Sequence, residues 1–127
     1  MKKIILISCL ILSMGAFAQT GASFKELKHS FGSIKQNVPA TYVFTFTNTS
    51  AKPLVIETAT AQCGCTTPVY TKEAIPKGTS STIKVTYNAA SPGAFTKTVT
   101  VKFANVDAPT ILTIEGTVDP AEKAKSK

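Results

Sequence analysis

Apolar and polar residues alternate along four segments of the chain. The first segment runs from Thr41 to Asn48, and the other three end at Tyr87, Phe103 and Val118. Successive side chains of a β-strand point to opposite faces of the sheet, so strict alternation predicts a strand with one buried face. We therefore predict four half-buried strands with these apolar members: Tyr42, Phe44, Phe46, Ile83, Val85, Tyr87, Val99, Val101, Phe103, Leu112, Ile114 and Val118.

Two further features refine this pattern. The run Leu54 to Ile56 is apolar at every position, which predicts a more central strand. Gly116 falls in phase with the apolar residues of the last strand, where we expect a bulge or the close approach of another backbone.

Clusters of proline, glycine and asparagine separate the strands. They occur at 48–53, 75–78, 91–93 and 105–109, and such clusters are typical of turns. No window places apolar residues at helical spacing. Six or seven short strands with turns at this spacing predict an all-β, antiparallel sandwich, because two stacked sheets bury one face of every strand. A small barrel is the structural alternative.

The N-terminal residues 1–18 predict a secretory signal peptide. Lys2 and Lys3 precede an apolar run from Ile4 to Leu12, and Ala16-Phe17-Ala18 forms a small-residue cleavage site. The apolar run is shorter than the roughly 20 residues that span a bilayer, so we expect no transmembrane segment. Export predicts a periplasmic or secreted protein.

Cleavage before Gln19 would remove Cys9 and leave 109 of the 127 residues, enough for one domain. We expect that domain at 19–118. The remaining segment, Asp119 to Lys127, loses the alternation and is rich in lysine and alanine, so we predict a disordered tail.

The charge balance is basic but carries no arginine. Removing the signal leaves 12 lysines against seven acidic residues. Bidentate recognition of phosphates and of guanine edges favours arginine, so we expect no nucleic-acid partner. Dispersed lysines are typical of a soluble surface.

The residue inventory also opposes catalysis. His29 is the single histidine, no serine sits in a glycine-flanked elbow, and the carboxylates are isolated along the chain. A phosphate-binding glycine-rich loop is absent from the sequence too. We expect a protein that is not an enzyme and needs no cofactor.

Cys63-Gly64-Cys65-Thr66 is the most distinctive segment of the chain. If this stretch is extended, Cys63 and Cys65 share one face of a sheet and their sulfurs are neighbours. Three interpretations stay open: packed thiols or an inert disulfide, a redox pair, and a Cu(I) site. Gly64 would permit a bridge by adopting a turn conformation closed to other residues.

Each interpretation of the cysteines lacks some support in the sequence. No helix is predicted after Cys65 to lower a thiol pKa, as in the usual redox motifs. A metal would find only His29 as a further soft ligand, and a lone histidine in a lysine-rich strand is ordinarily a solvated surface residue. Asn48-Thr49-Ser50 fits a glycosylation pattern, although an asparagine at the end of a strand ordinarily makes a turn.

The chain resembles the bacterial family named domain of unknown function 1573. The motifs that carry the resemblance are 31–34, 42–48, 53–56, 63–66, 75–78 and 93–97, followed by Gly116. Lys77 departs from the family, whose members commonly place proline and glycine directly together. The resemblance implies an immunoglobulin-like sandwich of about seven strands, similar to major sperm proteins and pilus chaperones. It implies no particular activity.

These observations predict an exported binding or assembly module of the bacterial cell envelope. Its partner would be another envelope or extracellular protein, bound by pairing with an unpaired strand edge. The alternative function is thiol-redox or copper handling by Cys63 and Cys65.

Overall fold

A computed structural model describes residues 21–121 as an all-β structure. Its strands are β1 (Ala22–Phe24), β2 (Lys28–Lys35), β3 (Ala40–Asn48), β4 (Ile56–Ala61), β5 (Thr66–Tyr70), β6 (Ser80–Tyr87), β7 (Gly93–Phe103) and β8 (Thr110–Asp119). This range includes no helix long and apolar enough to cross a membrane. The expected signal peptide and residues 122–127 of the expected tail lie outside the described residues.

The strands form two four-stranded sheets. The first sheet has the order β1-β3-β6-β5, and the second has the order β2-β8-β7-β4. This confirms the two-layer sandwich. One pair departs from the antiparallel expectation, because β2 runs parallel to β8. Strand β1 pairs with β3 in the first sheet, and the chain then crosses at Lys25 to Leu27 to the second sheet, where it continues as β2. The N-terminal part of the sandwich thus supplies an edge strand to each sheet.

The alternating residues form the core, as predicted, except for Tyr42, which is half-buried and packs against it. Phe44 and Phe46 of β3 are 1% and 0% exposed, and Phe103 of β7 is 0% exposed. The rings of Phe46 and Phe103 meet edge to face across the two sheets, with centroids 5.5 Å apart. Burying each large side chain contributes about 1.5–3 kcal/mol, so the alternation accounts for much of the driving force for stacking the sheets.

Gly116 marks a close approach of two backbones, as its position in the pattern predicted. A Cβ atom at Gly116 would lie 2.8 Å from the carbonyl oxygen of Gly32 and 3.0 Å from the ring of Phe95. Gly32 has a φ of 66° and lies where the register of β2 against β8 shifts. The irregular part of β2 therefore rests directly on Gly116 of β8.

The prediction of a central strand at Leu54 to Ile56 is wrong. Leu54 forms an isolated bridge with Ile75, and Ile56 begins β4, which is an outer strand of the second sheet. Leu54 and Ile56 are nonetheless 4% and 1% exposed, because this segment enters one end of the core. Its apolar density reflects burial at the end of the sandwich, not burial on both faces of a sheet.

The last strand ends one residue later than predicted. Asp119 belongs to β8, and its carbonyl accepts a hydrogen bond from the Gln36 amide at 2.9 Å. The Gln36 side chain in turn accepts a bond from the Ala121 amide at 2.9 Å. These contacts hold the start of the expected tail against the turn that follows β2.

Asn48 makes a turn at the end of β3 from a fully buried position. Its amide nitrogen donates to the carbonyls of Lys52 and Ile75, both at 2.8 Å. Its side-chain oxygen accepts from the amide and the hydroxyl of Ser50 at 2.9 and 2.7 Å. Asn48 thus ties the end of β3 to two loops, which confirms the turn interpretation and leaves its nitrogen inaccessible to a glycan in the folded chain.

Candidate functional site

The segment Cys63 to Cys65 lies in the turn between β4 and β5. Here the chain passes from the outer strand of the second sheet to the outer strand of the first. The motif is thus a turn and not an extended strand, yet its two cysteines are still neighbours. The two cysteines are joined in a disulfide with their Cα atoms 5.3 Å apart, a separation that ordinary bridges share.

The two cysteines have different surroundings. Cys65 is half-buried and packs against the hydrophobic core, whereas Cys63, also half-buried, is not among the core residues. The Cys65 carbonyl accepts a hydrogen bond from the Asn88 amide at 2.9 Å, which anchors it to the end of β6. The hydroxyl of Thr66, a residue 3% exposed, lies 3.7 Å from the Cys65 sulfur. Of the two cysteines, Cys65 is the one held against the core and bonded to the end of β6.

Gly64 does not have the role expected of it. Its φ is not positive, unlike those of four other glycines of the described chain. Apart from its two chain neighbours, no residue has an atom within 4 Å of a Cβ atom built on Gly64. The fold therefore requires no glycine here.

We expect Gly64→Ala to leave the stability of the protein nearly unchanged. The alanine methyl would occupy open space in a backbone conformation that L-residues adopt, so the free energy of unfolding should change by no more than about 0.5 kcal/mol. Urea titration followed by circular dichroism measures this change. A loss above about 1.5 kcal/mol would show that the turn depends on glycine after all.

His29 is not the solvated residue that the sequence indicated. It lies half-buried on β2 and stacks on Tyr42, with ring centroids 3.6 Å apart. The Tyr42 hydroxyl donates to Glu26 at 2.6 Å, and this bond to a carboxylate raises the pKa of Tyr42. Strands β8 and β7 separate β2 from β4, so the structure does not bring His29 to the cysteines. Among the described residues no group of three metal-ligating side chains converges on one point.

Three of the sheet edges carry features that oppose pairing with a further strand. Just before β5, the Cys65 carbonyl points toward β6, where it accepts from the Asn88 amide. Backbone groups of successive residues point to alternate sides of a strand, so those of Pro68 point outward, away from β6. Proline has no N–H group, so it cannot donate to an added strand there. The register of β2 shifts between Ser30 and Ser33. The register of β4 shifts between Ile56 and Thr58. Prolines and bulges of this kind are protective features of natural sheet edges.

The edge of β3 lacks such protection over half its length. Strand β1 pairs with β3 only at 46–48, and the Lys25 amide adds a bond to the Thr45 carbonyl at 3.0 Å. The Asn48 amide bonds toward β6, so even-numbered residues of β3 face β6 and odd-numbered residues face the other side. Within residues 21–121, no strand pairs with the outward N–H and C=O groups of Thr41 and Val43.

A family model described as protein of unknown function (DUF1573) matches residues 22–118, nearly the whole described sandwich. The chain belongs to this family. No curated protein matches the chain. The match to DUF1573 confirms the resemblance seen in the motifs, and its residues agree with the span of the eight strands.

Solved structures share the sandwich of this DUF1573 chain. A PapD-like domain of human CEP192 matches with a TM-score of 0.73 and 8% identity, covering 94% of this chain and 100% of that domain. A protein of unknown function from Porphyromonas gingivalis W83 matches with a TM-score of 0.65 and 13% identity, covering 81% of this chain and 50% of the other. The YadV chaperone matches with a TM-score of 0.51 and 14% identity, covering 84% and 55%. At these identities the likeness shows a PapD-like, immunoglobulin-like fold alone.

Proposed function

We propose that this protein is an exported binding or assembly module of the cell envelope that accepts an extended segment of a partner polypeptide along the open edge of β3. The observation that carries the proposal is the row of outward backbone groups at Thr41 and Val43. An added strand would continue the line of β1. Backbone hydrogen bonds would then supply affinity, and alternate side chains would supply selectivity.

The open edge of β3 suits an added strand better than the other edges do. Its pairing with β6 is regular from Ala40 to Thr47, so the edge is not interrupted by a bulge. Val43 is 45% exposed on the outer face and offers an apolar contact to a neighbouring strand. No charged side chain lies in β3 to repel a partner.

Two further features support the proposal. The predicted signal peptide supports export, and with it a periplasmic or extracellular partner. The YadV chaperone shares the fold, and function resides in sites that a fold carries on its edges and loops and not in the fold itself. On this proposal the protein acts by binding and not by catalysis.

Hydrogen exchange tests the open edge in the free protein. We expect the amides of Thr41 and Val43 to exchange rapidly, because they face outward, while the amides of Tyr42 and Phe44 are protected by bonds to β6. Residue-resolved exchange by nuclear magnetic resonance measures the difference. Equal protection of all four amides would mean that the edge is already covered, and the proposal would fail.

Val43→Pro should abolish binding while Val43→Thr retains it. Proline removes an outward N–H group and leaves the bonds to β6 intact, whereas threonine keeps the N–H group and the branched shape. Tagged forms of both variants and of the wild type would be exposed to the native envelope fraction, and captured proteins would be compared by mass spectrometry. Thermal unfolding checks that the proline variant is folded.

The edge proposal requires a protein captured by the wild type and by Val43→Thr but lost with folded Val43→Pro. That protein, once purified, should slow exchange of the Thr41 and Val43 amides. Capture that is equal for all three forms would show that binding uses another surface.

A further inference from the structure

We propose that the Cys63–Cys65 disulfide exchanges with dithiols, with Cys63 as the attacked sulfur and Cys65 as the leaving thiolate held by Thr66. This activity is independent of strand binding, because the turn between β4 and β5 lies on other strands than the open edge of β3. Two features of the turn carry the inference: Cys65, but not Cys63, packs against the core, and a buried hydroxyl lies beside the Cys65 sulfur.

The position of the two cysteines selects the sulfur that is attacked. Cys65 packs against the core and is tied to β6 through its carbonyl, so the protein shields its side of the bridge. Cys63 lies outside the core residues. An attacking thiolate must approach in line with the S–S bond, and access decides which sulfur it reaches. The Cys63 sulfur is therefore the one that the core does not cover.

Thr66 selects the sulfur that leaves. Its hydroxyl lies 3.7 Å from the Cys65 sulfur, within reach of a hydrogen bond to sulfur. Thr66 is 3% exposed. The surrounding strands therefore hold its hydroxyl in place, and little water competes for its hydrogen bond. A hydrogen bond to the charged form lowers a thiol pKa, and a thiol of lower pKa leaves faster. Cleavage that places the negative charge on Cys65 is therefore favoured.

The exchange balances with a dithiol as the second reactant. One thiolate of the dithiol bonds to the Cys63 sulfur, the Cys63–Cys65 bond breaks, and its electron pair stays on the Cys65 sulfur. The second thiolate of the dithiol then attacks the dithiol sulfur that is bonded to Cys63. The two sulfurs of the dithiol become a disulfide, and Cys63 leaves as a thiolate. The protein gains two electrons and becomes a dithiol, the reactant becomes a disulfide, and the two protons of the reactant end on the cysteines or in solvent.

Thr66→Val tests the role of the hydroxyl, and Thr67→Val is its matched control. Thr67 is exposed on the opposite face of the same strand, so the same change there removes a hydroxyl that does not face the sulfur. Full-chain protein in the oxidised form would be treated with dithiothreitol under native conditions, and free thiols would be counted over time by alkylation and mass spectrometry. We expect Thr66→Val to slow reduction about tenfold and Thr67→Val to match the wild type.

Reduced glutathione, a monothiol, tests the order of attack in the wild type. After a brief reaction and quenching with N-ethylmaleimide at low pH, peptide mapping would locate each modification. We expect glutathione on Cys63 and maleimide on Cys65.

Three results would each overturn the proposal. The first is a bridge that resists millimolar dithiothreitol until the protein is unfolded. The second is equal reduction rates for the Thr66 and Thr67 variants, with circular dichroism showing both folded. The third is glutathione found mainly on Cys65. None of these results bears on binding at the β3 edge.

Discussion

Asn48→Asp should lower the free energy of unfolding by about 3 to 5 kcal/mol at neutral pH. The new side chain has the same shape but cannot donate when ionised, so the carbonyls of Lys52 and Ile75 each lose a hydrogen bond of 2.8 Å. The carboxylate would also be fully buried and would face two carbonyl oxygens. An unsatisfied buried group costs about 1 to 3 kcal/mol, and an uncompensated charge costs more.

The loss in Asn48→Asp should depend on pH with a definite sign. The amide and hydroxyl of Ser50 would still donate to one oxygen and favour the ionised form, but full burial and the two carbonyls facing the other oxygen disfavour it. We expect the second effect to be larger, so the pKa of the new carboxyl is raised above its unfolded value of about 3.9. Above about pH 4 the carboxyl keeps its proton in the folded state but loses it in the unfolded state. The free energy of unfolding therefore decreases as the pH rises from about 4 toward 7. Urea titrations of the variant and the wild type at about pH 4 and pH 7 measure the difference.

Asn88→Asp provides the matched control. Asn88 is exposed, and its side chain uses only the oxygen, which accepts from the Ala90 amide at 3.1 Å. An aspartate keeps that acceptor, so we expect a change within about 0.5 kcal/mol. If the two variants lose equal stability, Asn48 does not hold the loops as the structure indicates.

Gly116→Ala should lower the free energy of unfolding by about 2 to 3 kcal/mol. The added Cβ atom would lie 2.8 Å from the carbonyl oxygen of Gly32, a distance that such atoms do not adopt. That oxygen belongs to the backbone of β2, so β2 must move away from β8 and their pairing must loosen. Urea or thermal unfolding of the purified variant measures the loss.

Gly64→Ala is the control for Gly116→Ala, since the same methyl group enters open space there. A tolerated Gly116→Ala would mean that β2 can shift at little cost. Exchange of the amides of β2 would also report the expected loosening, because destabilised pairing exposes its hydrogen bonds to solvent.

The strands with strict alternation were predictable because their pattern is set by one local cause. Phe44, Val85 and Val101 each lie in phase with buried neighbours two residues away, and every strand of a sandwich must turn one face inward. The same reasoning missed β1 and gave no bounds for β2, although the segment around His29 was taken as a lysine-rich strand. Both lie at sheet edges, and β2 carries a register shift, so their alternation is short or broken.

Leu54 to Ile56 shows why local apolar density misled. A run of buried residues has the same composition whether it crosses the middle of a sheet or enters the end of a core. Only the bridge from Leu54 to Ile75 and the position of β4 at a sheet edge distinguish the two cases.

The sequence was informative about which residues of the candidate site matter, but less so about their geometry. It placed Cys63 and Cys65 two residues apart and singled out the motif that ends in Thr66. The turn, the core packing of Cys65 and the nearby Thr66 hydroxyl depend on how β5 docks against β6. Such contacts join residues distant along the chain, as the bond from Asn88 to Cys65 does.

By itself the sequence determined the fold class, the inward faces of the regular strands and the close approach at Gly116, because periodicity and the lack of a side chain act locally. Tertiary structure alone decided which edges are protected and which is open. The exposure of a backbone N–H group depends on the neighbouring strand and not on the residue that carries it. Thus Thr41 and Val43 resemble any other strand residues in sequence, yet their outward groups have no strand partner because β1 leaves β3 after a few residues.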